Sequence, residues 1–310
     1  MSVHRLHIRP SGGRGDTVFS FAYCLKEQVL GVGWQVPTRS KTLSWDAYEK
    51  AAGKTYGGLG AISRVRYLHD NVKSKDLIWT RDTRGSYYLA KVLGTRNQRS
   101  DIPWQYLDTP EGRHADIVNV VRCRILAVPL ADDVTGKIVA CFRPSRVIQP
   151  IRDETTILYS QLLWNQMTGS EEYKLPKLER CDVFSFIDAE TTEDVIFIYL
   201  QYKGWIVVPN SRKADTMGYE FVAIHKKTLE RAVVQVKSGH THLAADGWGD
   251  SAEKVFLFQT HRLYTGIPSP NVTLIEPSTI EKFMTSHISI MPNAVKRWVN
   301  FAAKLNARRR

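Results

Sequence analysis

The chain has 310 residues, with 43 Lys and Arg against 31 Asp and Glu, for a formal net charge of +12. That length suits two domains, and the charge favours a polyanionic partner, nucleic acid first. Hydrophobic residues at 43% and aromatics at 10% exclude a disordered chain, and no apolar run nears the roughly eighteen residues a membrane span needs. Four single cysteines, Cys24, Cys123, Cys141 and Cys181, lack Cys-x-x-Cys pairing or zinc-finger histidines and read as buried reduced thiols. The polar His4, Arg5 and His7 stand where a signal peptide would place its apolar core, so a cytoplasmic protein with no membrane contact is expected.

From the start, Val3 to Ile8, Val18 to Leu25 and Val29 to Val36 read as strands, and Ser44 to Ala52 as a helix with Ser44 as N-cap. The glycines Gly57, Gly58 and Gly60 break the chain, and Ile62 to Leu68 is ambiguous between helix and strand. Asp76 to Thr80 and Ser86 to Leu93 read as strands joined by a polar turn, Arg81 to Gly85. Further β runs follow at Val118 to Val128, Lys137 to Phe142 and Arg146 to Ile151.

This succession, with Asp76-Leu-Ile-Trp79 before Tyr87-Tyr88-Leu-Ala-Lys-Val92 and a late Phe142, resembles the PUA/EVE-like barrels over roughly His4 to Ile151. The resemblance implies a β-barrel-like domain at 1–151 with an aromatic pocket for a flipped, modified base. Trp34, Trp79, Tyr87, Tyr88 and Trp104 are its candidate walls, since an indole or phenol stacks on a base. Arg81, Arg84, Arg96 and Arg99 are candidate phosphate contacts; a solvated charged face is the competing reading. Residues 152–181 shift to polar composition and read as a linker with a connecting helix, Thr156 to Met167.

In the remaining part, 182–310, Glu190 to Gly204 carries helix start and stop signals and Trp205 to Pro209 reads as a strand. Tyr219 to His225 and Arg231 to Lys237 read as a β-hairpin. Strand alternation puts Val233, Gln235 and Lys237 on one side of its second strand, beside Glu220 at the start of the first. A carboxylate and an amide oxygen suit a hard cation such as Mg²⁺ or Mn²⁺, and a lysine beside them can orient water.

Asp215-Thr-Met-Gly-Tyr-Glu220 followed by Gln235-Val-Lys237, behind a helix carrying Glu193 and ending in Gly204, resembles the Mrr-like PD-(D/E)XK restriction endonucleases. The resemblance covers roughly Asp182 to Leu263. It implies an α/β domain with a mixed central sheet in which Glu220 and Gln235 hold the metal and Lys237 activates water. Glu193 assists from its helix, with Glu190 as second choice, and Asp215 is the alternative ligand. Gln235 departs from the acid usual in the wider superfamily. His240 and His242 follow Lys237 but lack a third ligand, which favours surface roles. Val255 to Gln259 and Val272 to Ile275 read as further strands, Ser278 to Thr285 and Pro292 to Leu305 as helices, and Arg308 to Arg310 as a basic tail.

The chain is therefore expected to be an α+β protein of two domains, a reader joined to a metal-dependent endonuclease for double-stranded DNA, modified or foreign. Cutting both strands implies a homodimer, because one chain carries one hydrolytic motif. The rivals are a non-cleaving module that recognises modified DNA or RNA, and an RNA-binding structural protein.

Overall fold

The computed structural model describes residues 1–94, 102–143, 146–176, 183–208, 218–249 and 253–307. It divides into unit 1, Met1–Val134 with Ile138–Lys174, and unit 2, Thr135–Lys137 with Leu175–Arg310. Asp215, Arg96, Arg99, Cys181 and Arg308 to Arg310 lie outside the described residues.

Unit 1 contains β1 (Val3–Leu6), α1 (Thr17–Glu27), β2 (Val29–Val32), α2 (Trp45–Tyr56), α3 (Ser63–Asn71), β3 (Leu77–Arg81) and β4 (Tyr87–Val92). It continues with β5 (Trp104–Tyr106), α4 (Pro110–His114), β6 (Asn119–Ala127), α5 (Gly136–Cys141, from Ile138 onward), β7 (Ile148–Ile151) and α6 (Glu154–Thr168). The strands form one curled mixed sheet in the order β2-β6-β4-β3-β1-β7, with β5 added on β6. β1 runs parallel to β3; the other pairings are antiparallel.

The two sheet faces bury different things. Leu6, Ile78, Ala90 and Ile125 point into a core shared with α1, α2 and α3. Arg5, Trp79, Arg81 and Tyr87 point the other way, toward α6 and Phe142. There Trp79 is 0% exposed and its indole N–H donates to Ser160 Oγ of α6 at 2.9 Å. Tyr173, beyond α6, donates to the carbonyl of Lys75 at 2.8 Å, and Lys91 pairs with Glu172. Residues 152–174, read from sequence as connecting, are thus packed into unit 1.

Two expected strands are helices. Val18 to Leu25 has apolar residues at alternate positions, which mimics a strand, yet Asp16 caps a helix by accepting from Phe19 N at 2.9 Å, and Gln28 closes it at φ 53°. Lys137 to Phe142 likewise contains α5. The ambiguous run after the glycines is α3, and Ser44 caps α2 as expected, accepting from Ala47 N. Cys24 and Cys123 are buried free thiols, and burial pushes the Cys24 thiol up to about 12; Cys141 is half-buried.

Unit 2 contains α7 (Ala189–Tyr202), β8 (Trp205–Val207), β9 (Phe221–His225), β10 (Arg231–Lys237), β11 (Leu243–Ala244) and β12 (Lys254–Gln259). β13 (Tyr264–Thr265), β14 (Val272–Ile275), α8 (Pro277–Ser286) and α9 (Asn293–Ala307) complete it. Its sheet runs β14-β12-β10-β9-β8, antiparallel from β8 to β10 and parallel from β10 to β14. Asp188 caps α7 by accepting from Thr191 N at 2.6 Å, and Gly204, at φ 94°, turns the chain into β8.

Phe197 of α7 packs on Phe221 at 5.9 Å between ring centres, and α8 joins it with Phe283 on Tyr199 at 5.2 Å. The opposite sheet face carries Val222, Val233, Val255 and Leu257, covered by Leu243 and Ala245. Among the described residues no helix is long and apolar enough to cross a membrane.

Candidate functional site

The hairpin forms as read, and its register decides what meets. Phe221 pairs with Val234, and the Glu220 N–H donates to the Val234 carbonyl at 2.8 Å, so Glu220 lies across from Gln235 at the mouth of the β9–β10 ladder. Lys237, two residues farther along the same face, reaches back diagonally: its Nζ donates to Glu220 Oε1 at 2.8 Å. Both side chains are partly buried, as is that of Gln235. The structure therefore brings together three of the residues expected from sequence, on the sheet face away from α7.

Next to Lys237 in the parallel register stands Gln259, 0% exposed at the end of β12. Its Nε2 donates to the carbonyls of Gly239 and Thr241 at 2.8 and 3.0 Å, and its Oε1 accepts from His261 N and Leu263 N at 2.6 and 3.0 Å. One side-chain amide thus uses both donors and both lone pairs to tie the two loops beside Lys237 together. His240 stacks on His261 at 5.6 Å; both are exposed, as is His242. Sequence reasoning gives Gln259 no role, and the only signal was an amide closing an otherwise apolar strand.

The residue types suit a hard divalent cation: the Glu220 carboxylate and, across from it in the β9–β10 register, the Gln235 amide are oxygen donors on one sheet face. Among the described residues no three His, Cys, Asp or Glu side chains come together. Asp215, the other candidate ligand, lies outside the described residues. Glu193 sits in α7, on the opposite face of the sheet from Glu220, as the Phe197–Phe221 contact places it.

The expected reader residues do not form one cluster. Trp79, a candidate base-stacking wall, is a fully buried core residue tied to Ser160. Tyr87 and Tyr88, being consecutive in β4, point to opposite faces: Tyr87 meets Phe142 at 5.5 Å and Tyr88 meets Phe21 at 5.0 Å. Arg81 stands with Tyr87, while exposed Arg84 lies in the turn with its N–H on Asp82 Oδ1.

A different aromatic group occupies the inner face. Trp45 stacks on His69 at 3.9 Å and meets Trp104 edge-on at 5.0 Å, and Tyr48 touches Trp104 at 5.5 Å. Trp34, half-buried, follows β2 at φ 59°, a conformation unfavourable for a bulky side chain, and its carbonyl accepts from the Tyr48 hydroxyl at 3.0 Å. Asn119 donates to that hydroxyl at 3.2 Å. Trp104 Nε1 and Asn119 Oδ1 are both buried with no partner.

No family model, curated protein or solved structure matches the chain.

Proposed function

We propose that unit 2 is a Mrr-like PD-(D/E)XK nuclease domain that hydrolyses phosphodiesters in double-stranded DNA with Mg²⁺ or Mn²⁺. The observation that carries the reading is the 2.8 Å contact between Lys237 Nζ and Glu220 Oε1, with Gln235 across from Glu220 on the neighbouring strand. The succession α7, β8, β9, β10 supports it, because that is the element order the resemblance implies.

In this reading Glu220 and Gln235 would hold the cation, and Lys237 would orient the attacking water and take up its proton at Nζ in the neutral-amine form, its ammonium first giving a proton to solvent. The chemistry a divalent cation supplies when bound is polarisation of phosphoryl oxygens and activation of water. Gln259 keeps the flanking loops in place, so Lys237 has a fixed neighbour on the β12 side. Titrating MgCl₂ against supercoiled plasmid tests the proposal. Nicking should rise from zero to a plateau and vanish in EDTA. Absence of cutting of modified and unmodified DNA at every metal concentration would sink it, and leave a non-cleaving binding module.

A second reading concerns unit 1. We infer that it is a PUA/EVE-like reader of modified bases, on the strength of the orphaned donor on Trp104 and acceptor on Asn119, both in contact with Tyr48 or its neighbours. A base edge supplies a complementary acceptor and donor, and half-buried Trp34 and Trp45 offer stacking faces. The full-length protein should bind a duplex with a modified cytosine or adenine more tightly than its unmodified counterpart, and Trp34→Ala should erase the difference. Equal affinity for all duplexes at fixed salt would reject the reading.

A further inference from the structure

Arg5 occupies a position that a charged residue rarely holds. It pairs with Trp79 of β3 on one side and Gln149 of β7 on the other, and it is 0% exposed. One guanidinium N–H donates to the Arg146 carbonyl, and the guanidinium carbon stands 5.5 Å from the centre of the Phe142 ring. Its Nε and Nη2 groups are buried with no partner. A cation removed from water and left with unsatisfied donors is strongly disfavoured unless an anion meets it.

The surroundings add positive charge. Arg81, half-buried on the same sheet face, places its guanidinium carbon 5.1 Å from the same Phe142 ring, and Arg146 is exposed beside them. Burial first, then Arg81, Arg146 and Arg9, hold Arg5 down to about 10, with Cys141 acting in the opposite direction. His7 meets Phe142 edge-on at 5.9 Å, and burial followed by Arg81, Arg5 and Arg9 brings it down to about 4. It is therefore neutral at pH 7, and its buried Nδ1 has no partner. Among the described residues no carboxylate is among the charges that act on Arg5.

We propose that this face of unit 1 is an oxyanion site for a phosphate group, with Arg81 and Arg146 at its opening, Arg5 as its floor and Phe142 holding the guanidiniums apart. Phosphate fits better than a carboxylate because it brings up to two negative charges and more acceptor oxygens to several guanidinium forks. The phosphate is a phosphodiester of bound nucleic acid, a terminal phosphate or free phosphate, all of which share this chemistry. The site lies on the opposite sheet face from the Trp34, Trp45 and Trp104 group, and it stands or falls independently of cleavage by unit 2.

The test is a thermal melt of the full chain in inorganic phosphate, with ionic strength held constant by chloride. The wild type should show a saturable rise in Tm. Arg81→Ser, at a half-exposed position that leaves the core intact, should need about tenfold more phosphate for the same rise, the loss of one charge-assisted contact. Arg5→Met should lose the response too, while melting at or above the wild type without phosphate, since an apolar chain of similar length replaces an uncompensated charge. Should Arg5→Met fail to fold, Arg81→Ser decides. Short duplexes with and without a 5′-phosphate, used as competitors, separate the sources: displacement by the phosphorylated duplex alone assigns a terminal phosphate, equal displacement by both the backbone, and displacement by neither free phosphate. No saturable response in the wild type, or an unchanged response in Arg81→Ser, overturns the proposal.

Discussion

Lys237→Ala should lower the plasmid nicking rate by on the order of 10³-fold while leaving DNA affinity within a few-fold. The ammonium is hydrogen-bonded to Glu220, so its removal takes away the group that would fix the water and handle its proton. Affinity changes little because one charge is lost from a chain with 43 Lys and Arg. Glu220→Gln, which keeps the shape of the side chain, should have a comparable effect on rate. Single-turnover nicking and fluorescence anisotropy on the same preparations separate chemistry from binding, and circular dichroism checks that both variants fold. Wild-type cutting by either variant would remove this hairpin from the reaction.

Trp79→Ala should destabilise unit 1 by about 3–5 kcal/mol, the range for truncating a large buried aromatic. The cost has two parts. The indole is fully buried between the sheet and α6, so its loss leaves a cavity, and Ser160 Oγ loses a donor while still donating to the Thr156 carbonyl at 2.7 Å. A fall in the melting temperature of roughly 10 °C is expected. An unchanged melt accompanied by lost DNA binding would instead restore Trp79 as a wall that touches a base.

How much was legible depended on how local the deciding interaction is. The β9–β10 hairpin and the Glu220, Gln235, Lys237 alignment follow from two short alternating runs and one turn, and α2 from Ser44 ahead of an amphipathic stretch. The α1 segment was misread because Phe19, Phe21, Tyr23 and Leu25 alternate, while the features that make it a helix, the Asp16 cap and the left-handed Gln28, lie at its ends. The separation of Tyr87 from Tyr88 was implicit in strand alternation, but grouping them with Trp79 as one aromatic cluster obscured it. Arg5 was illegible for a different reason: its neighbours come from residues far along the chain, and no local pattern tells a central strand from an edge strand.

That last point bears on how unit 1 is made. β1 is synthesised well before one of its two partners, β7, and the Arg5 guanidinium bonds a carbonyl 141 residues farther along the chain. Until β7 has been synthesised, β1 presents an open edge on that side, the kind of exposed ladder that pairs with the wrong chain. The slow step in folding unit 1 is then the closure of this long loop, and a nascent chain stalled before Ile148 would be the form most in need of a chaperone.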